Sequence, residues 1–299
     1  MNPIERAREL GQSIWLDYIQ RGMLASGEFS HLMGLGITGV TSNPTIFEKA
    51  IVGSTDYDQA ILPLARSGAS PSGIYEALAV EDVRAAADLL RPVYEESRGE
   101  DGYVSLEVDP SLAYDPAGTV AEAQRLFALV GRPNLMIKVP ATPQGIPAIR
   151  DLIELGVNVN VTLLFSRELY RQAREAYLEG LERRARKGEA LDRVASVASF
   201  FVSRIDTAVD RELGALIEGG RRDLEPLLGA AAVASAKLAY RDFRRTFEGE
   251  RFLALRERGA RVQRPLWAST STKNPAYSDV NCLLYTSDAA DELDGVDLG

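Results

Sequence analysis

The chain has 299 residues, 45% of them hydrophobic and 26% charged, with 25 Gly, 14 Pro and a mean hydropathy of -0.11, which is ordinary globular composition rather than a disordered, collagenous or membrane one. No apolar run approaches the roughly 18 residues that span a bilayer, and the N-terminal MNPIERAREL lacks the apolar stretch of a signal peptide, so the sequence predicts a soluble cytoplasmic protein. A net charge of -9, from 34 Lys and Arg against 43 Asp and Glu, argues against nucleic acid or an anionic membrane as partner, and the single Cys282 and His31 exclude a disulfide framework and a Cys/His-rich zinc site.

In chain order, β-like runs alternate with longer helical stretches. SIWLDYI (13–19) and ITGVTSNPTI (37–46) read as strands, followed by 53–73, which mixes loop and short helical signals and suits a covering segment over a binding mouth. A long amphipathic stretch, IYEALAVEDVRAAADLLRPVYEES, leads to strand GYVSLEVD (102–109). Then TVAEAQRLFALV precedes strand NLMIKVPAT (134–142), and QGIPAIRDLIELG precedes strand NVNVTLLFS (158–166). RELYRQAREAYLEGLERRARKG separates that strand from VASFFVSRI (197–205), and RPLWASTS (264–271) is the last, giving seven strands in all.

This alternation predicts an α/β protein with a parallel sheet, and the absence of a GxGxxG turn after the first strand favours a (β/α)8 TIM barrel over an open dinucleotide-binding sheet. Period-two alternation then aims polar groups inward: Ser13, Trp15 and Asp17; Thr41 and Asn43; Ser105, Glu107 and Asp109; Met136 and Lys138; Asn158, Asn160 and Thr162; Ser199, Phe201 and Ser203; Trp267, Ser269 and Ser271. An unpaired buried charge costs several kcal/mol, so such groups persist only by pairing around a site.

Lys138 interrupts an apolar strand, where a low-dielectric wall favours the neutral, nucleophilic amine; a gatekeeper lysine on a sheet edge would read the same way. Asp17 and Glu107 are its natural acid and base partners, although ion pairing or capping would also place carboxylates at strand ends. His31 lies off the strand ends and reads as a surface or packing residue. Arg204, Ser269 and Lys273 could hold a phosphate; a solvated arginine and a Ser/Thr-rich turn is the plainer alternative.

Together, WLD, TSNPTIF, SLEVDP, IKVPAT, NVTLLFS and SFFVSRID, spread in order from Trp15 to Asp206, resemble the transaldolase family of Schiff-base-forming aldolases in the pentose phosphate pathway. The resemblance implies that Lys138 attacks the C2 carbonyl of a ketose phosphate, that Asp17 takes the C4 hydroxyl proton, and that Glu107, with Thr162 holding a water, moves protons during dehydration. Asn43 and Asn160 would hold hydroxyls of the bound three-carbon unit, Ser199 would lie beside the imine, and Arg204 and Ser269 would take phosphate, with Lys273 replacing the arginine many relatives carry after that serine. Sugar phosphates are then the partners, no cofactor or metal is implied, and a homo-oligomer is left open. A fructose-6-phosphate aldolase is the nearest alternative, but those enzymes carry Gln at the position of Glu107 and Tyr at that of Phe201. A barrel that binds sugar phosphates without turnover is the alternative of another class.

The resemblance runs through residues 1–280 and then stops. CLLYTSDAADE and the closing VDLG resemble a translated sequencing adapter, so residues 281–299 read as a non-native tail with Asn281 at the junction; five acidic residues and no Lys or Arg fall there. The barrel is therefore predicted to be incomplete, lacking its eighth strand and leaving edges on the first and seventh.

Overall fold

The computed structural model describes residues 3–270; Ser271, Lys273 and the tail read at 281–299 lie outside the described residues. In order, the elements are α1 (Pro3–Glu9), β1 (Ile14–Leu16), α2 (Arg21–Ser26), α3 (Glu28–Gly34), β2 (Ile37–Val40), α4 (Pro44–Val52), α5 (Asp58–Arg66), α6 (Pro71–Glu96), β3 (Val104–Glu107), α7 (Pro116–Val130), β4 (Leu135–Pro140), α8 (Gly145–Glu154), β5 (Val159–Leu164), α9 (Arg167–Arg186), β6 (Ser196–Phe201), α10 (Ser203–Glu218), α11 (Ala231–Phe247), α12 (Glu250–Arg256) and β7 (Gln263–Ala268). Short 3-10 turns occupy Pro110–Tyr114 and Arg222–Leu227.

Among the described residues seven strands pair in parallel in sequence order, β1 to β7, and curl into a TIM-type barrel that these residues leave incomplete. Every observed strand is shorter than its sequence pattern, and at β2 helix-starting chemistry takes over at the strand's end. Asn43 caps α4 by accepting from the Ile46 amide, with Pro44 in the first helical position, so the run 37–46 is strand only to Val40. The same pairing of cap and proline starts α6 at Ser70–Pro71 and α7 at Asp115–Pro116, and Gly131 closes α7 in the left-handed conformation.

The main apolar core lies between the sheet and the helices and includes Val40, Val104, Ile137, Val159, Ala198 and Phe200. A smaller cluster of Tyr103, Met136, Ala195 and Val197, with Trp15, Tyr94 and Leu266 against it, fills the inner face towards the strands' N-terminal ends. Close strand approach there needs Gly39, where a Cβ would stand 2.5 Å from Trp15 ring atoms. Segment 53–73 forms α5 and packs beside the first turns of α6, with Ala50, the fully buried Tyr57 and Leu78 at its contact.

Alternation fails on β7. Phe200 pairs with Trp267 in register, their rings meet edge to face 6.1 Å apart, and Trp267 packs on the helix-facing core, so Leu266 is the inward residue. Asp109 also leaves the inward set: it is exposed and accepts from the Ser111 amide at the start of a 3-10 turn. Asn158 is buried low in the sheet and ties strands together through the carbonyls of Pro133 and Leu135 and the amide of Ala195.

Candidate active site

Lys138 stands on β4, the middle strand of seven, so the edge-strand explanation of its charge is removed. Its Nζ donates to the Ser42 carbonyl at 3.0 Å and lies 3.5 Å from Glu107 Oε2, with the residue 7% exposed. The register sets this meeting, since Glu107 on β3, Lys138 on β4 and Asn160 on β5 are successive lateral neighbours. Burial raises the Glu107 pKa above its usual value; the Lys138 ammonium pulls it back and the nearby Asp17 carboxylate pushes it further up. Asp17 itself is exposed directly after β1, close enough for its charge to act on Glu107.

A buried polar chain runs beside the lysine. Ser199 Oγ donates to Asn160 Oδ1 at 2.7 Å, and Asn160 Nδ2 donates to Ser105 Oγ at 3.0 Å. Thr162 is also buried, and its Oγ1 has no hydrogen-bond partner among the described residues, which suits a hydroxyl kept for water or ligand. It precedes a bulge: the β5–β6 register shifts between Val161 and Leu164, and Leu163 takes a φ of 60°, turning its side chain to the surface. Asn43 uses Oδ1 in capping α4, which leaves Nδ2 as the end that can donate to a ligand.

The anion-binding candidates gather at the start of α10. Arg204 is exposed in its first turn, with its guanidinium 5.2 Å from the Phe201 ring centroid. Ser269 has a φ of 57°, which breaks strand alternation beyond β7, and its Oγ lies 3.1 Å from Ser203 Oγ. No side chain caps this helix; its Ser203 amide donates to the Ser269 carbonyl at 3.2 Å and its Ile205 amide to the Val202 carbonyl at 2.9 Å. Lys273 falls outside the described residues. His31 is exposed in α3, away from the strand ends that carry these groups.

The profile of the Transaldolase/Fructose-6-phosphate aldolase family matches residues 14–290. The chain is 49% identical to a transaldolase of Trichodesmium erythraeum over 285 residues, covering 93% of this chain and 75% of the relative. It is 50% identical to a transaldolase of Thiobacillus denitrificans, covering 94% and 77%. A transaldolase 2 of Nostoc sp. is 47% identical, with 94% and 75% covered.

The chain belongs to the transaldolase/fructose-6-phosphate aldolase family. It is accordingly an enzyme of the class that transfers aldehyde or ketone residues. Within this family site, sequence reasoning missed Ser42, whose carbonyl receives Lys138 and whose Oγ donates to the Ser105 carbonyl at 2.8 Å. A backbone acceptor leaves no signal in residue type. Tyr75 was missed as well: this α6 residue feels the charges of Glu107 and Asp109, and burial is the main cause of its pKa being pushed up to about 12. Among the described residues no group of His, Cys, Asp and Glu is arranged to hold a metal ion, and no helix is long and apolar enough to cross a membrane.

Proposed function

We propose that the chain transfers a dihydroxyacetone unit from a ketose phosphate, sedoheptulose 7-phosphate or fructose 6-phosphate, to an aldose phosphate, glyceraldehyde 3-phosphate or erythrose 4-phosphate, through a Schiff base on Lys138. The observation that carries this reading is the buried Lys138 Nζ, 3.5 Å from the Glu107 carboxylate and beside the Asn160–Ser199 pair. The pentose phosphate pathway and a cytoplasmic location belong to the same proposal.

Lys138 attacks the ketose C2 once its proton has passed to Glu107, a carboxylate whose raised proton affinity suits that role. The C2 hydroxyl leaves as water with a proton returned by Glu107, and the unpartnered Thr162 hydroxyl holds that water. Asp17 takes the C4 hydroxyl proton, the C3–C4 bond breaks, and its electron pair enters the imine to give an enamine while the aldose phosphate departs. C3 of the enamine then attacks the acceptor aldehyde, Asp17 returns its proton to the new hydroxyl, and water hydrolyses the imine. Asn43 and Asn160 hold hydroxyls of the three-carbon unit, Ser199 lies beside the imine, and Phe201 walls the site. Arg204 and Ser269 receive phosphate, with Lys273 as the additional cation.

Borohydride reduction with fructose 6-phosphate tests the reading. A stable adduct mapped to Lys138 is expected, and its absence would sink the proposal. Product formation that requires an added aldehyde acceptor marks transfer; release of free dihydroxyacetone without one marks the aldolase reaction instead.

A further inference from the structure

Asp17 lies where regular structure has just ended. The last sheet bond of β1 runs from the Thr41 amide to the Leu16 carbonyl, and β1 is a three-residue strand at one end of the sheet order. Between Leu16 and α2 there is no secondary structure to fix a carboxylate.

What fixes the far end of this segment comes from a different part of the chain. The Arg21 amide donates to Tyr57 Oη at 3.1 Å, Arg21 Nε donates to Asp82 Oδ1 at 2.8 Å, and Tyr57 Oη donates to Asp82 Oδ2 at 2.8 Å. The Arg21 guanidinium also sits 4.8 Å from the Tyr57 ring centroid and reaches Glu81 at the surface. Asp82 is 2% exposed and Tyr57 is fully buried. Beside this triad, Asp56 accepts from the Gly22 amide at 3.1 Å and from Gln20 Nε2 at 3.4 Å, while Tyr18 Oη donates to Gln20 Oε1 at 2.6 Å. Ile19, between the two ends, is fully buried.

A buried ion pair is a weak device for stability, because an apolar replacement often does as well. It is a strong device for fixing one arrangement, since its bonds are directional and an alternative position leaves a buried charge unpaired. Here those bonds converge within five residues of Asp17 and use its own main-chain segment.

We propose that Tyr57, Asp82 and Asp56 are positioning residues for Asp17: they latch the segment between β1 and α2 onto α6 and so hold the Asp17 carboxylate at the mouth of the sheet. This rests on the acid–base role given to Asp17 above. The latch acts on carbon–carbon cleavage and not on imine formation, which belongs to Lys138 and Glu107 on β4 and β3.

Tyr57→Phe tests it, because it removes the hydroxyl that serves both Arg21 and Asp82 while keeping the buried ring; Asp56→Ala is a second variant at an exposed position, and it removes the acceptor of the Gly22 amide and Gln20 Nε2. With fructose 6-phosphate and erythrose 4-phosphate, kcat should fall about 10- to 100-fold with KM within about twofold, the cost of a small misplacement of a reacting group. Borohydride should still label Lys138, and mass spectrometry should show the adduct shifting from the three-carbon unit to the whole ketose phosphate, because cleavage is slowed after the imine forms. In an Asp17→Asn background Tyr57→Phe should lower kcat by less than about twofold more, since both act at one step. Unchanged kcat in both variants, an equal fall in both backgrounds, or labelling that falls in parallel with kcat would overturn the latch. Failure of the acid–base reading shows separately, as wild-type kcat in Asp17→Asn alone.

Discussion

Asn160→Ala is the substitution whose cost can be worked out most directly. The side chain is fully buried and uses both ends of its carboxamide, accepting from Ser199 Oγ at 2.7 Å and donating to Ser105 Oγ at 3.0 Å. Truncation leaves two buried hydroxyls without these partners, and a buried polar group left unpaired costs about 1–3 kcal/mol, so the loss should be about 2–5 kcal/mol. For a chain of this size that lowers Tm by roughly 3–8 °C. Ser199→Ala alone should cost less, about 1–3 kcal/mol, since it orphans only Asn160 Oδ1. The double variant should be more stable than the sum of the two single losses by about 1 kcal/mol or more, because the second change deletes a group that the first has already left unpaired. Urea unfolding of wild type, both single variants and the double variant reads this cycle. Additive losses, or an Asn160→Ala loss below about 1 kcal/mol, would refute the claim that this chain of bonds is the principal satisfaction of the buried groups beside Lys138.

Replacing the pair by Lys138→Met with Glu107→Gln should abolish borohydride labelling while leaving Tm equal to or above that of wild type, because a buried ion pair adds little net stability over less polar side chains; a large fall in Tm would contradict this. Glu107→Gln alone should show a pH signature. The folded-state pKa of Glu107 lies above its ordinary 4.5, so the folded form binds the proton more tightly and wild type loses stability as pH rises from about 4.5 through the raised value. Gln does not titrate, so across that window the stability gap should move in the variant's favour by about 1.4 kcal/mol for each tenfold gain in proton affinity of the folded state; a gap independent of pH, measured by denaturation from pH 4 upward, would contradict it. Leu163→Gly should change stability by less than about 1 kcal/mol, because the residue is 41% exposed and holds a φ of 60° that glycine adopts freely, whereas Leu164→Gly, at a fully buried site, should cost several kcal/mol in the same assay.

Strand order and the middle of the site were legible because they depend on local pattern. Glu107, Lys138 and Asn160 each occupy an inward position of a strand with apolar neighbours, and consecutive parallel pairing then makes them lateral neighbours without further information. The same alternation gave β7 the opposite phase, for a reason internal to period-two patterns: RPLWAS offers Leu266 and Trp267 as equally apolar choices, and only pairing with β6 decides that Trp267 joins Phe200 on the helix side. Strand ends were overextended where a polar residue can be an inward strand position or a helix cap, as Asn43 shows by capping α4. The latch was the least legible part. Arg21, Tyr57 and Asp82 are separated by 36, 25 and 61 positions, and none belongs to a motif, so their meeting depends on how α5 and α6 pack back over the start of α2. Local pattern therefore reveals the polar groups that line up along strands, while the groups that hold the segment after a strand in place are set by tertiary packing. For that reason the bonds joining Arg21, Tyr57 and Asp82 beside the Asp17 segment, more than the identity of Lys138, are what the three-dimensional structure adds to the sequence.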